Sequence, residues 1–256
     1  MEQVAIFILG TIIGSFLNLV ILRYNTGQSL IKGGSRCFNC GKNLKWHELI
    51  PVVSFVIQKG KCRQCKSKIS WQYPLIEILT GIIFLLIFIN FLNQSYWLLA
   101  SVYTLAIFSI LIVIAVYDLR HQIIPDGLVY AFSILAFLSL FRNWFVSWQI
   151  EIENFDLVGL LVGIIFFAFF ASIWLLSRGK AMGLGDAKLA LGIGWFLGWP
   201  NGIYALVLAF WLGALVGIFL VYFSKKSYNL KSSIPFGPFL ILGALLAFFI
   251  NINIYF

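Results

Sequence analysis

Long, uninterrupted runs of apolar residues dominate this chain and restrict it to a narrow class of folds. Seven of them are long enough for a helix to cross the hydrocarbon core of a bilayer, which is about 30 Å thick. They cover residues 4–22, 74–91, 97–117, 128–145, 157–177, 202–223 and 236–256. A shorter apolar run follows Asp186 and ends near Trp199. The sequence therefore predicts an all-α polytopic membrane protein with about eight transmembrane helices.

Composition agrees with this class, and the basic residues predict its orientation. Hydrophobic residues make up 61% of the chain, above the share found in soluble domains. If eight spans alternate, 17 of the 18 Lys and Arg residues fall on one side, which the positive-inside rule assigns to the cytosol. Only Arg142 falls on the other side, in a loop with Glu151, Glu153 and Asp156. Both termini are then outside.

The net charge of +9 raises the question of a nucleic-acid partner. These charges flank apolar runs, so contact with anionic lipid headgroups explains them and no nucleic-acid partner is expected.

The first apolar run follows Met1-Glu2-Gln3, with no basic segment and no cleavage site, so we expect it to remain as a helix. Three regions are predicted: a first transmembrane helix at 1–22, a polar cytosolic domain at 23–73, and a membrane domain of about seven helices at 74–256.

The polar domain holds all four cysteines, as Cys37-x-x-Cys40 and Cys62-x-x-Cys65. Two such pairs are typical of a structural zinc site, in which four thiolates form a tetrahedron. Disulfides are the alternative, but thiols in a cytosolic loop are kept reduced. The loop is too small for an adequate core, so zinc would supply much of its folding free energy. We expect neighbouring basic residues to offset the thiolate charge: Arg36, Lys42, Lys61, Arg63 and Lys66. His47 is expected to be a surface imidazole.

A lone carboxylate stands at the start of the shortest apolar run, in Gly183-Leu184-Gly185-Asp186-Ala187-Lys188. Asp186 can cap the helix that begins near Ala187, and the two glycines let another backbone come close. A dinucleotide-binding fingerprint is excluded, because Lys188 stands at the third glycine position and no strand precedes the motif. Capping and a functional role both remain open for Asp186 on this hexapeptide alone.

A second carboxylate, Asp118, occupies a matching position at the end of the third predicted helix. An acid at a helix C-terminus opposes the helix dipole and caps nothing, which favours a functional role. Pro125 ends any continuation of this helix, and Asp126 is predicted to be the N-cap of the fourth. Arg120 and His121 are expected to pair with Asp118 rather than to act in catalysis.

Two further polar side chains lie inside apolar runs. Asn18 either hydrogen-bonds to a neighbouring helix, because a buried amide needs a partner, or has a role at a site. Glu77 lies one turn inside the second helix, which Pro74 is predicted to open. Glu77 either pairs with a basic residue of the loop or supports a reaction site.

Taken in order along the chain, these motifs resemble the type IV prepilin peptidases, which are leader peptidases and N-methyltransferases of pilus, type II secretion and competence systems. The resemblance covers nearly the whole chain. Its motifs are Gly14-Ser15-Phe16-Leu17-Asn18, Ser35-Arg36-Cys37 through Cys40, Ile50-Pro51-Val52, Gly60-Lys61-Cys62-Arg63-Gln64-Cys65, Ile69-Ser70-Trp71-Gln72-Tyr73-Pro74 with Glu77, Asp118, Ile124-Pro125, Gly183 through Lys188, and Ile234-Pro235-Phe236-Gly237-Pro238.

The resemblance implies an aspartic endopeptidase of the Gly-x-Gly-Asp class in the bacterial inner membrane, with Asp118 and Asp186 as the catalytic pair in the 74–256 domain. Gly183, Gly185, Lys188, Pro125 and Glu77 are implied as supporting residues. The implied substrates are prepilins or pseudopilins, cut after glycine at the cytosolic face and then N-methylated with S-adenosylmethionine. No donor site can be located in the sequence. An ion-coupled transporter and a non-catalytic zinc-bearing assembly factor are the alternatives from other classes.

Overall fold

A computed structural model describes residues 1–29, 33–92, 97–141, 155–223 and 234–250. Several residues used to predict orientation lie outside these ranges: Lys32, Arg142, Glu151, Glu153, Lys225, Lys226 and Lys231. The predicted ends of the fourth and last helices, at 145 and 256, lie outside them too.

Helices account for nearly all regular structure in the described residues, which confirms the all-α prediction. They are α1 (Glu2–Arg23), α2 (Val53–Ile57), α3 (Gln72–Phe91), α4 (Trp97–His121), α5 (Asp126–Leu138), α6 (Leu157–Ser177), α7 (Leu184–Leu197), α8 (Asn201–Phe223) and α9 (Gly237–Ile250), with one 3-10 turn at Trp46–Glu48. In this part of the chain, five helices are long and apolar enough to cross a membrane. These five are α1, α3, α4, α6 and most of α8. The protein is therefore a multi-pass membrane protein.

Some helix boundaries differ from the prediction. Helix α3 begins at Gln72, so Pro74 lies within its first turn rather than at its start. Proline is tolerated there, because the first-turn N–H groups have no intrahelical partner. Helix α5 ends at Leu138 instead of continuing to 145. The hydroxyl of Ser139, just beyond it, donates 2.9 Å to the carbonyl of Trp195, which holds the chain against α7 where it leaves the helix.

The N-cap predicted at Asp126 is wrong, and of the two roles left open for Asp186 the capping role does not hold. Pro125, in extended conformation, is the N-cap of α5, and Asp126 is the first helical residue, making no side-chain cap hydrogen bond. Helix α7 starts at Leu184, so Asp186 is its third residue rather than its cap, and Gly183 is the N-cap. In both cases the helix begins earlier than the apolar pattern indicated, because polar and glycine residues can occupy a first turn.

By its internal contacts the chain divides into two units, and the first covers Met1–Val113. Here α1 and α3 pack closely: a Cβ added to Gly10 would lie 2.7 Å from Cα of Gly81. Asn18 is buried between these helices, as expected. Its amide donates 3.2 Å to the carbonyl of Tyr73, and its oxygen accepts from Nε2 of Gln72 at 3.2 Å. The buried amide thus holds α1 to the start of α3.

The second unit covers Ile114–Phe256. Helix α7 packs against α5 and α6, and α8 packs against α9. Three Gly-x-x-x-Gly pairs, a spacing that allows close helix packing, lie in this unit: Gly159/Gly163, Gly194/Gly198 and Gly213/Gly217. Their surroundings differ. A Cβ added to Gly194 would lie 2.5 Å from Cα of Gly163, whereas one added to Gly217 would lie 3.9 Å from Cδ1 of Ile234. The Gly163–Gly194 contact therefore lets α6 and α7 pack closely. At Gly217 an added Cβ would only make an ordinary van der Waals contact.

Candidate functional site

The cysteine loop in the first unit is built from two copies of one small turn. The N–H of Cys37 bonds the carbonyl of Lys42 at 2.9 Å, and the N–H of Cys62 bonds that of Ser67 at 2.9 Å, which is the same bond 25 residues later. An isolated antiparallel bridge flanks each turn, Arg36 with Asn43 and Lys61 with Lys68. Each Cys-x-x-Cys pair thus lies in a tight turn that leaves both thiols on one side.

The four thiols meet at one point. Their Sγ atoms lie within 4.8 Å of one another, and those of Cys37 and Cys65 are 3.8 Å apart. A Zn–S distance of about 2.3 Å in a tetrahedron places sulfurs about 3.8 Å apart, whereas a disulfide requires about 2.05 Å. Hydrogen bonds from the hydroxyl and N–H of Ser67, together with one from Asn39, lower the pKa of the Cys65 thiol to about 5. The donor set fits a thiolate-bound metal, and the disulfide alternative does not fit.

Glu48, the only acid between residues 33 and 71, is a structural residue that the sequence did not single out. It is buried, and its carboxylate accepts from the N–H of Lys45 at 2.9 Å and from Nζ of Lys42 at 3.1 Å. Its pKa is lowered, first by the N–H of Lys45 and then by Lys42 and Arg63. Lys42 and Arg63 therefore bind Glu48 besides lying near the thiolates. His47 lies outside the thiol cluster.

Glu77 is buried, but its contact is not the predicted pairing with a basic residue of the loop. Its Oε2 accepts from the backbone N–H of Val52 at 2.7 Å. Val52 has φ 59° and ψ −52°, and the N–H of Val53 bonds the carbonyl of Pro51 across it. This is a γ-turn that is strained for a β-branched residue. Glu77 thus fixes an unusual turn of the cysteine loop onto α3, inside the first unit.

Asp118 lies in the second unit, in the last turn of α4, and is only 4% exposed. The backbone N–H of Gly237, the first residue of α9, donates a hydrogen bond to its carboxylate. A Cβ added to Gly237 would lie 2.6 Å from Oδ2 of Asp118. Only glycine therefore lets the start of α9 approach this carboxylate, and the positive end of the α9 dipole faces it.

Asp186 lies in the same unit and is 7% exposed. The backbone N–H groups of Gly183 and of Asp186 itself face its carboxylate, so the start of α7 surrounds it with donors. Its Oδ1 is buried and has no hydrogen-bond partner among the described residues. A buried carboxylate oxygen that is left unpaired is costly, and it is available to a reacting group.

The two carboxylates lie near enough for the charge of Asp118 to act on Asp186. The structure thus brings together two acids that are 68 positions apart in sequence. Each lies beside the N-terminus of a helix, α9 for Asp118 and α7 for Asp186. Two neighbouring carboxylates do not both ionise readily, so they tend to share one proton.

The supporting residues are arranged around this pair in the second unit. Gly183 is the N-cap of α7, Gly185 lies in its first turn, and Pro125 is buried at the start of α5. Lys188 faces α5: its Nζ lies 2.7 Å from Oδ1 of Asp126 and 5.2 Å from the ring centre of Tyr130. Lys188 thus links α7 to α5. Glu77 belongs to the first unit.

Sequence reasoning missed the part played by Gly237. Its signal was Pro235-Phe236-Gly237-Pro238, whose prolines set the start of a helix and whose glycine leaves space. The opposing carboxylate is contributed by a distant segment, so the sequence alone did not reveal it.

Comparison with known proteins gives two family matches. The bacterial peptidase A24 N-terminal domain matches residues 8–91, and the type IV leader peptidase family matches residues 105–218. No solved structure gives a significant match.

Similar proteins with assigned names agree with these two family matches. A protein of Myxococcus xanthus called prepilin leader peptidase/N-methyltransferase is 35% identical over 85% of this chain, which spans 63% of that protein's length. A Bacillus subtilis protein of the same name is 32% identical over 95% of this chain and 92% of its own length. The type 4 prepilin-like proteins leader peptide-processing enzyme of Escherichia coli is 31% identical, over 94% and 91%. Matches of this identity and extent show that the chain belongs to the type IV leader peptidase family.

Proposed function

We propose that this protein is a membrane aspartic endopeptidase that cleaves the basic leader from type IV prepilins or pseudopilins, with Asp118 and Asp186 as its catalytic pair. One observation supports this most strongly: two buried carboxylates in one unit lie within electrostatic reach of each other, each beside the N-terminus of a helix. The names of the relatives supply the substrate class.

The chemistry follows from the shared proton. The ionised carboxylate takes a proton from a water molecule as the water oxygen bonds to the scissile carbonyl carbon. The protonated carboxylate hydrogen-bonds to the carbonyl oxygen and stabilises the charge that develops there. The carbon–nitrogen bond then breaks, and the leaving amine receives a proton from the pair. Both acids are used in both steps, so neither works alone.

The supporting residues act on the geometry of this pair. Gly183 and Gly185 let the start of α7 place its N–H groups around Asp186, and Pro125 fixes the start of α5. Lys188 holds α7 to α5 through Asp126. Glu77 keeps the strained turn at Val52 in place, and its part is therefore structural.

The same enzyme then methylates the new N-terminal amine, with S-adenosylmethionine as donor. Support comes from the relatives, whose names include N-methyltransferase. The amine must be freed before it can be methylated, so methylation follows cleavage.

The proposed topology has eight spans in the bacterial inner membrane. The five long helices supply five of them, and the shorter helices α5, α7 and α9 supply the other three. The cysteine loop and the catalytic pair face the cytosol and both termini face outward, since 17 of the 18 basic residues then lie on one side. A single structural zinc held by Cys37, Cys40, Cys62 and Cys65 completes the cytosolic loop. Labelling of single cysteines placed in each loop, from outside intact cells, tests this topology.

The direct test of function is mass spectrometry of a prepilin incubated with the purified protein and S-adenosylmethionine. We expect loss of the leader followed by a gain of one methyl group on the new N-terminus. Leader loss without methylation would support the proposed peptidase activity and contradict the proposed methyltransferase activity. An intact prepilin, with the enzyme folded in its membrane mimic, would overturn the proposed function.

A further inference from the structure

Ile124 lies in the short link between α4 and α5 and touches two glycines that border the proposed catalytic pair. A Cβ added to Gly185 would lie 2.8 Å from Cβ of Ile124 and 3.4 Å from its Cγ2. A Cβ added to Gly237 would lie 3.2 Å from Cδ1 of Ile124. One side chain therefore reaches from the start of α7, next to Asp186, to the start of α9, next to Asp118.

The backbone fixes the direction of this side chain. Ile124 precedes Pro125, and a residue before proline is held to extended conformations. Pro125 is itself buried and forms the N-cap of α5. Isoleucine is branched at Cβ and has few side-chain conformations. The combination makes Ile124 a stiff spacer rather than an adaptable filler such as methionine.

Each glycine is directly linked to one of the two aspartates, through the chain or through a hydrogen bond. Gly185 immediately precedes Asp186, and the N–H of Gly237 donates a hydrogen bond to Asp118. A shift of either helix start therefore moves one carboxylate or its donor. Ile124 contacts both helix starts, so it limits how far they can move relative to each other within the second unit.

We propose that Ile124 is a positioning residue that sets the separation of the Asp118 and Asp186 carboxyl groups by spacing Gly185 from Gly237. This inference rests on the proposed function, because it concerns the same site. Catalysis by a pair of groups falls steeply when their geometry changes, by about 100-fold for a displacement of 1 Å. Loss of the spacer should therefore slow the chemical step and leave substrate binding largely intact.

The first test compares kinetics of prepilin cleavage by the full-length protein. We expect Ile124→Ala to lower kcat by about 10- to 100-fold with KM within about twofold. Ile124→Val keeps Cβ and Cγ2 against Gly185 but lacks the Cδ1 that faces Gly237, so its kcat should lie between those of Ile124→Ala and the parent. Two controls are matched to it: Ile123→Ala removes a neighbour that is 63% exposed, and Val129→Ala removes fully buried atoms elsewhere on α5. Both should keep kcat near the parent value when corrected for folded protein.

The second test is rescue. Gly185→Ala should lose activity because its new Cβ meets Cβ of Ile124 at 2.8 Å. Alanine at 124 keeps that Cβ and should not rescue, whereas adding Ile124→Gly removes it and should raise activity to about the level of Ile124→Gly alone. Gly237→Ala should not be rescued, because its new Cβ meets Oδ2 of Asp118 first, at 2.6 Å. Rescue of Gly185→Ala alone supports the spacer. Rescue of neither variant, or parent-like kcat for Ile124→Ala, overturns it.

A third measurement is independent of cleavage. The melting temperatures of the parent, Ile124→Gly, Gly185→Ala and the double variant form a thermodynamic cycle. We expect the double variant to melt above the sum of the single effects, because removal of the Cβ of Ile124 makes room for the new Cβ at position 185. Additive melting temperatures contradict the contact itself. If prepilin stays uncut by every protein while the cycle shows this coupling, the proposed function fails and the packing of Ile124 stands.

Discussion

The two units of this protein build their polar centres in opposite ways. In the cysteine loop, each pair of thiols belongs to a turn of a few residues, and the second turn repeats the hydrogen bonds of the first 25 residues later. In the second unit, the carboxylate centre draws on four separate segments, around Asp118, Ile124, Gly183–Asp186 and Gly237. The four thiols of the first centre come from local turns and are arranged to bind a metal, whereas the second centre depends on how helices pack.

This difference determines how a single substitution affects each centre. A loop that depends on a metal loses its structure when one ligand is lost, because much of its folding free energy comes from binding. A site formed by packed helices keeps its fold after the same kind of change but loses the placement of its reacting groups. Substitutions should therefore separate the two: metal content reports on the loop, and kcat reports on the second unit.

The largest expected effect is on the carboxylates. Asp118→Asn and Asp186→Asn keep the size of the side chain but remove the shared proton, so each should lower kcat/KM by about 10⁴-fold or more. Zinc content should stay at the parent value in both variants. The measurement is quantitative mass spectrometry of a prepilin, combined with metal analysis of the same samples. Loss of zinc in Asp118→Asn would show that the two centres are not separable.

The next effect concerns the loop. Cys62→Ser removes the buried thiol of the cluster, and zinc should fall from about one per chain to near zero. The loop should then become sensitive to protease. Ser67→Ala is the matched control, because Ser67 contacts Sγ of Cys65 at 3.1 Å without being a ligand. It should weaken zinc binding by about 10- to 100-fold and keep the loop folded. Full zinc in Cys62→Ser would exclude the four-thiolate site.

A smaller effect is expected from a substitution at the start of α9, where the helix comes close to Asp118. Gly237→Ala should lower kcat by about 100-fold, because the added Cβ displaces the Asp118 carboxylate. Gly217→Ala is the control in the neighbouring helix α8, where the nearest atom to an added Cβ is 3.9 Å away. It should stay within about twofold of the parent, since helix propensity favours alanine. Equal kcat for the two variants would show that α9 does not set the position of Asp118.

The smallest effect belongs to the ion pair between Asp126 and Lys188. The side chain of Asp126 is 60% exposed, and such pairs contribute about 0–1 kcal/mol. Asp126→Asn should therefore lower kcat/KM by no more than about threefold, and high salt should bring the parent and the variant closer together. The comparison is made in kinetic assays at two salt concentrations. A loss as large as that of Asp118→Asn would place Asp126 among the catalytic groups.

The sequence predicted most of the helices and the thiol cluster, because both follow from local patterns. Apolar runs of bilayer length set the long helices, and two Cys-x-x-Cys pairs set the cluster. The partner of Asn18 was also predictable in kind, since a buried amide between helices must bond to something.

Other features could not be predicted, because they depend on packing between distant segments. The donor to Asp118 comes from Gly237, which is 119 positions away, and no local pattern links the two. The N-cap prediction for Asp126 failed, and the capping role left open for Asp186 did not hold, because Pro125 and Gly183 occupy those positions. Glu77 binds a backbone N–H of a strained turn rather than a basic side chain, and such turns leave little trace in sequence.

The central claim is that Asp118 and Asp186 form one catalytic unit, and the most direct test is the kinetics of the double variant. Residues that act together are strongly non-additive. We therefore predict that Asp118→Asn combined with Asp186→Asn cleaves prepilin within about threefold of the slower single variant. If the two losses multiply instead, or if Asp118→Asn alone cleaves at near the parent rate while folded in the membrane, the two carboxylates do not act as a pair.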